Sequence, residues 1–237
     1  MTVSVSSEDE DKSQQDAPRR RVNPRVTKEG PLTSWTGWDV RGGATAEPAA
    51  AETFRRSAPN GPGEDAHYEL IAVAARGFRP PRYVSTVHVP DEDHIDPEED
   101  RGLEALRRTW TLLYRCVAET SSVSVAPYAI YLLGVNPPAN ATDHEMEAFN
   151  DFYTNVHLPE VAERRRAFRA ARYELVREVK PPYQGAPQFL AVYEVDEQAA
   201  SNRRHVGPPY ATGPDVWQRH KTPWRLQPST SKCEDLG

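Results

Sequence analysis

Residues 173–198, YELVREVKPPYQGAPQFLAVYEVDEQ, repeat the features of residues 68–93, YELIAVAARGFRPPRYVSTVHVPDED. Both stretches begin Tyr-Glu-Leu, contain a proline-bearing turn, and end in an apolar run whose last valine is followed closely by an acidic pair. Tyr68 and Tyr173 are 105 positions apart, and a polar segment and then a tryptophan follow each copy. Because the features match in order as well as in kind, we interpret them as a duplicated structural unit.

The second unit predicts the element order β-α-β-β-α-β, which is the ferredoxin-like plan. An N-cap at Thr142 or Asp143, with acidic residues in the first turn, predicts a helix that runs to about Arg165. The first unit offers LTSWTGWDV (32–40) and an alanine-rich segment for its opening strand and helix. In the second unit, β-branched and aromatic residues predict strands within 121–135, 167–179, 188–195 and 223–228, and a second helix is predicted within 196–204.

The repeat predicts an α+β fold of two ferredoxin-like units and sets the expected domain bounds. We expect a degenerate unit at 31–120 and a complete unit at 121–228. Residues 1–30 are so polar that they bury too little apolar surface to offset the entropy of ordering, and they predict a disordered tail. Residues 229–237 predict a flexible tail on the same ground.

Composition narrows the function classes. The net charge of −6 in 237 residues argues against a general nucleic-acid binder, which presents a basic surface. The two cysteines, Cys116 and Cys233, form no metal pattern, and no phosphate-binding glycine motif occurs, so we expect no metal and no cofactor. The amino-terminal residues are acidic and the longest apolar run is short, so we expect a soluble cytoplasmic protein with no membrane partner.

The segment FNDFYTNVHLPEV (149–161) carries the candidate chemistry. On a helix, Phe149, Phe152 and Val156 form an apolar stripe, while Asn150, Tyr153 and His157 form an adjoining polar stripe. The proline at 159 predicts a kink or break just after the histidine. Two interpretations follow: a general acid/base histidine supported by tyrosine and asparagine, or a partly buried helix-end histidine satisfied by backbone groups. Spacing alone favours the second.

The motif resembles that of the EthD-like family, within the dimeric α/β-barrel superfamily. FNDFYTNVHLPEV, FRAARYELV, PQFLAVYEV and KTPWR carry the resemblance, which covers residues 125–228. Tyr68–Glu119 resembles only the second half of such a unit, and residues 31–66 lack the His-x-Pro-Glu element. The family's usual tryptophan before the tyrosine is Phe152 here. The motif positions are Asn150, Asp151, Tyr153, His157, Pro159 and Glu160.

The resemblance implies that two sheets, usually from two chains, form one barrel; the repeat then implies a monomeric pseudo-dimer, with a homodimer as the other arrangement. Such barrels bind hydrophobic, often aromatic, small molecules between sheet and helices. The implied activities are cyclisation, dehydration, decarboxylation and cofactor-free oxygenation of aromatic or polyketide-like substrates, as in secondary metabolism or aromatic degradation. The resemblance shifts the interpretation of His157 toward a catalytic acid/base, with Tyr153 beside it.

Strand positions add candidates for substrate binding. Arg172 and Glu194 are polar positions within apolar strands, and they predict either a ligand-binding pair or a cross-strand ion pair, of which we favour the ion pair. Tyr131, Phe189 and Tyr193 are either pocket walls or plain core. The sequence thus leaves a lyase, cyclase or cofactor-independent monooxygenase against a non-catalytic small-molecule-binding barrel. A regulatory role of the charged amino-terminal tail is a third hypothesis.

Overall fold

A computed structural model describes residues 24–27, 29–42, 47–56, 66–69, 72–73, 81–93, 105–121, 127–182, 185–201 and 210–230. The protein is α+β, with a curled antiparallel sheet of ten strands and few helices. None of the described helices is both long and apolar enough to span a bilayer.

The two halves of the chain contribute similar series of elements. The first half contains β1 (Arg25–Val26), β2 (Leu32–Val40), α1 (Glu47–Arg56), β3 (Ala66–Glu69), β4 (Ala72–Val73), β5 (Tyr83–Val89) and β6 (Leu106–Glu119). The second half contains β7 (Ala129–Asn136), α2 (Asp143–Phe152), a π-helical turn (Tyr153–His157), α3 (Leu158–Arg165), β8 (Arg169–Lys180), β9 (Phe189–Val195), α4 (Glu197–Ser201), α5 (Asp215–Gln218) and β10 (Lys221–Thr230). The strand and helix predicted to open the first half are therefore present, as are all the strands predicted for the second half.

Both halves have the same strand order. The first half is ordered β3-β5-β2-β6 and the second β8-β9-β7-β10. If the two-residue strands β1 and β4 are left out and the strands of each half are numbered along the chain, both halves have the spatial order 2-3-1-4. The register repeats too: Tyr68 lies opposite Val84, and Tyr173 lies opposite Leu190. The repeat in the sequence is therefore matched by a repeat of topology.

Pairing between the halves joins them at two places. Strand β6 pairs with β8 over most of its length, and β10 pairs with β4. Since β3 and β4 follow each other closely in the chain, the path of paired strands returns to the segment from which it started.

Each face of the sheet packs a separate core. The inner face brings both halves together in one cluster, in which Trp35, Trp110 and Tyr114 meet Tyr173 and Leu190. The outer face of the second half packs against α2, α3 and α5, whereas that of the first half packs against α1. Alternation along β8 places Ala171 and Tyr173 inward and sends Ala170 and Arg172 to the helix side.

The helix of residues 143–165 starts as predicted but does not break as predicted. Thr142 is the N-cap, and it forms a capping box with Glu145. Of the kink or break predicted after His157, the break does not occur, because residues 153–158 stay helical and widen into a π-turn in which the Leu158 N–H donates to the Tyr153 carbonyl. Pro159 then lies in the first turn of α3, where a missing N–H costs least.

Both segments predicted as tails contain residues that belong to strands. Within 1–30, strand β1 pairs with Ala118 and Glu119 of β6, so the tail prediction is corrected for residues 25–26. The pairing succeeds in a polar segment because backbone hydrogen bonds do not depend on side-chain polarity. Strand β10 extends to Thr230, two residues into the second predicted tail. Residues 1–23 and 231–237, and with them most of both predictions, lie outside the described residues.

Candidate functional site

A cavity of about 570 Å³ lies between the outer face of the sheet and the helix of residues 143–157. Its volume is within the range of pockets that hold small organic ligands. Asp151, Asn155, Glu174 and Val26 are exposed residues along its wall, while Arg172 and Phe189 are buried. The complete lining consists of Val26, Thr27, Val117, Asn150, Asp151, Thr154, Asn155, Arg172, Glu174 and Phe189.

Arg172 is the buried charge of this cavity. Its Nη1 donates to Thr154 Oγ1 at 2.8 Å, and its Nη2 donates to Asn150 Oδ1 at 2.5 Å. These acceptors lie one turn apart on the helix, at i and i+4, and so reach the same side chain. The Arg172 Nε is buried and has no hydrogen-bond acceptor among the described residues.

Aromatic rings contact the guanidinium. Its Cζ lies 4.2 Å from the centroid of the Phe189 ring and 4.6 Å from that of Tyr153, within the range of cation–π attraction. No carboxylate of the described chain forms an ion pair with Arg172. Burial lowers the pKa of Arg172 to about 10, an effect opposed by the nearby Tyr153 and Glu174. The group is therefore charged at neutral pH, and it has no ion-pair partner among the described residues.

The predicted ion pair between Arg172 and Glu194 is wrong. Glu194 lies opposite Arg169 in the β8–β9 register and forms its ion pair there, while Arg172 lies opposite Ala191. Arg169 also bonds Glu119 of β6, with Nη2 and Oε2 3.2 Å apart. The sequence did not reveal that Arg169, and not Arg172, lies opposite Glu194, nor that β6 supplies Glu119 to Arg169 as a second carboxylate.

His157 lies in a cluster of rings on another side of the same helix. Its ring centroid is 4.5 Å from that of Trp217, 5.3 Å from Tyr210 and 5.9 Å from Tyr153. The side chain is 8% exposed, and its Nδ1 has no partner among the described residues. The alternative of a histidine satisfied by backbone groups therefore does not describe this nitrogen.

Burial sets the protonation states in the ring cluster. Desolvation, with a smaller contribution from His220, lowers the pKa of His157 to about 4. Burial raises the pKa of Tyr153, which Arg172 opposes, and the Tyr153 hydroxyl has no partner among the described residues. At neutral pH both groups are therefore uncharged. A neutral imidazole accepts a proton rather than donating one.

The predicted site residues separate into two groups. Asn150, Arg172 and Phe189 line the cavity. Tyr153 and His157 belong to the ring cluster, although Tyr153 also contacts the guanidinium. The remaining predicted wall residues, Tyr131 and Tyr193, pack in the core beneath the helices and are not part of the lining of this cavity.

Several residues of these two groups were not predicted as site residues, among them Thr154, Trp217, Val26 and Thr27. Thr154 was recognisable by its i+4 spacing from Asn150, but only once a partner on β8 was known. Trp217 contacts both Tyr153 and His157, yet it lies on a four-residue helix with no periodic signal. Val26 and Thr27 fall in the segment predicted as a tail.

No group of three or more acidic, histidine or cysteine side chains in the described part of the chain is placed to hold a metal ion. No protein-family model matches the chain, and neither does any curated protein.

Proposed function

We propose that this chain is a single-chain form of the dimeric α/β-barrel plan and that it binds a hydrophobic, aromatic or polyketide-like small molecule. In this proposal two ferredoxin-like halves form one barrel, the second half is EthD-like, and the protein is a monomer. The shared strand order and the β6–β8 and β10–β4 pairings between the halves support the fold.

The observation that carries the binding function is the cavity beside Arg172. It combines open volume with the apolar side chains Val26, Val117 and Phe189 and with a few convergent polar groups, the usual composition of a small-molecule site. If this region were ordinary core, side chains would fill the space, since protein interiors are close-packed.

Two matched tryptophan substitutions test this function. Val117→Trp fills the cavity from β6, whereas Val176→Trp makes the same change at a half-buried valine of β8 outside the cavity lining. Binding of naphthoic acid, followed by isothermal titration calorimetry, is expected in the wild type and in Val176→Trp and is expected to be lost in Val117→Trp. Equal binding by all three proteins would place the ligand elsewhere.

A second candidate function is a cofactor-free lyase, cyclase or monooxygenase in which His157 accepts a proton and Tyr153 donates a hydrogen bond. The supporting observation is the π-turn at 153–157, which holds a buried His157 Nδ1 and a buried Tyr153 hydroxyl, neither with a partner among the described residues. Wide turns of this kind are frequent at functional sites.

The enzyme hypothesis is tested with whichever aromatic acid the cavity binds. Because His157 does not line the cavity, proton transfer requires the reacting part of that compound to reach the ring cluster, and His157→Gln should then abolish its conversion. Unchanged turnover in this variant would remove the proton-transfer role and leave a binding protein.

A further inference from the structure

We propose that Arg172, with Asn150 and Thr154, forms an anion subsite, and that the natural ligand carries a carboxylate bound there. This inference rests on the proposed small-molecule function and specifies the ligand class. It starts from a buried cation that the described chain does not neutralise.

Arg172 is a buried cation whose direct contacts are uncharged. The residue is 3% exposed, and its neighbours Asn150, Thr154, Tyr153 and Phe189 are all uncharged. A buried ion normally has a paired opposite charge, since removing an unpaired charge from water is costly. Arg169, three positions earlier on the same strand, is paired with two carboxylates. Strand β8 thus accommodates paired charges, yet no carboxylate of the described residues pairs with Arg172.

The geometry of the guanidinium leaves N–H donors available to a ligand. A guanidinium has five N–H donors in a planar fork, and among the described residues three acceptor atoms, from Asn150 and Thr154, contact this one. Those two side chains fix the plane of the fork from the helix side, and the rings of Phe189 and Tyr153 hold it from the protein interior. A rotamer fixed in this way is organised in advance for a planar, two-oxygen acceptor, which is the geometry of a carboxylate.

The charged residues around the cavity restrict the kind of ligand that it accepts. Asp151 and Glu174 also line the cavity, but both are exposed, and the Asp151 carboxylate accepts a hydrogen bond from Asn155 at 2.8 Å. Exposed charges are screened by water and salt, whereas the buried guanidinium is not. The field at the buried end therefore favours an anion, and the exposed carboxylates favour a ligand whose remaining part is uncharged.

The ligand is accordingly a small acid with an uncharged, apolar body. The carboxylate faces Arg172, and the body extends past Phe189 and Val117 toward β1. The volume of about 570 Å³ accommodates one or two fused aromatic rings.

Pairs of acids and their neutral amides test the inference on the intact protein. Benzoic, naphthoic and anthracenecarboxylic acids are each titrated calorimetrically beside the corresponding amide, which has the same shape and no charge. We expect at least one acid to bind about 10-fold or more tightly than its amide, the size of effect expected for a hydrogen bond to a charged group.

Two substitutions assign the preference to this arginine. Arg172→Met removes the charge, and Asn150→Asp places a carboxylate where Asn150 Oδ1 now accepts from Nη2. Both should reduce acid binding to the level of the amide while amide binding persists. Arg107→Gln, at a side chain that is 64% exposed and outside the cavity lining, removes the same charge elsewhere and should leave the preference intact.

The outcomes separate the two proposals. Equal binding of acid and amide, lost in Val117→Trp, would leave the small-molecule function standing and overturn the anion subsite. A preference for the acid that survives both Arg172→Met and Asn150→Asp would also overturn it. Failure of every compound to bind would overturn both proposals.

Discussion

The two sides of the helical segment 149–157 differ in packing: one side is filled by aromatic rings, and the other lines an open cavity. Toward α5, the rings of Phe152, Tyr153 and His157 fill the space around Trp217. Toward β8, Asn150 and Thr154 orient a cation beside an open cavity. The filled side contributes packing free energy, whereas the open side leaves room and charge for a ligand. One helix thus separates a stabilising region from a binding region.

Removing the centre of the filled side should have the largest effect. Trp217 is 9% exposed and contacts five rings of this region, so Trp217→Ala should lower the free energy of unfolding by ~4 kcal/mol, the usual cost of truncating a large buried side chain. Urea unfolding followed by circular dichroism measures the loss. Val87→Ala, at a side chain that is 41% exposed, is the control and should change stability by less than ~1 kcal/mol. A comparable loss in both variants would mean that the ring cluster is not a special source of stability.

The protonation of His157 should give the next largest effect. The pKa of the folded state, about 4, lies below the ordinary value of 6.5, so the unfolded chain binds the proton more readily. Stability should therefore be complete above pH 6.5, fall as the pH drops from 6.5 to about 4, and level off below; the full loss amounts to roughly 3 kcal/mol. Urea unfolding across this range, with His157→Gln as comparison, isolates the contribution. An identical pH profile in the variant would show that His157 is not desolvated as described.

On the open side, Arg172→Met should change stability little. The substitution relieves the cost of burying an unpaired cation and leaves Asn150 and Thr154 to be hydrated by water in the cavity, so the free energy of unfolding should shift by less than ~1 kcal/mol. Arg169→Met, which strands Glu119 and Glu194, should destabilise more. A loss from Arg172→Met that exceeded the loss from Arg169→Met would reverse the distinction between a binding cation and a structural one.

A substitution at the end of α3 should shift stability without altering either side. Arg166 adopts a left-handed conformation, with φ of 55°, at the helix C-cap. Arg166→Gly should therefore stabilise the protein by about 0.5 kcal/mol, because glycine adopts this conformation without strain. Glu163→Gly, inside the last helical turn, should destabilise by a similar amount. Both variants should retain the wild-type preference for acid over amide, which makes them a matched pair for separating stability from binding.

Local patterns accounted for much of the fold. The capping box at Thr142, the strands of the second half and the paired copies at Tyr68 and Tyr173 all follow from side-chain type and spacing over a few residues. The continuation of the helix past Pro159 did not, because it depends on a shift to a wider hydrogen-bonding turn that residue preferences do not reveal. The pairing of β1 was missed because a two-residue strand has no hydrophobic period.

The sequence by itself determined the repeated order of strands and the presence of asparagine, tyrosine and histidine on one helix. These depend on propensity and on fixed helical and strand periods, which act over short distances along the chain. Only the tertiary structure decided which arginine of β8 pairs with carboxylates, which side of the helix is filled and which is open. Those outcomes depend on residues that are distant in the chain meeting in space, as Glu119 meets Arg169 and Trp217 meets His157. The geometry of such meetings is set by strand register and helix packing and not by any local pattern.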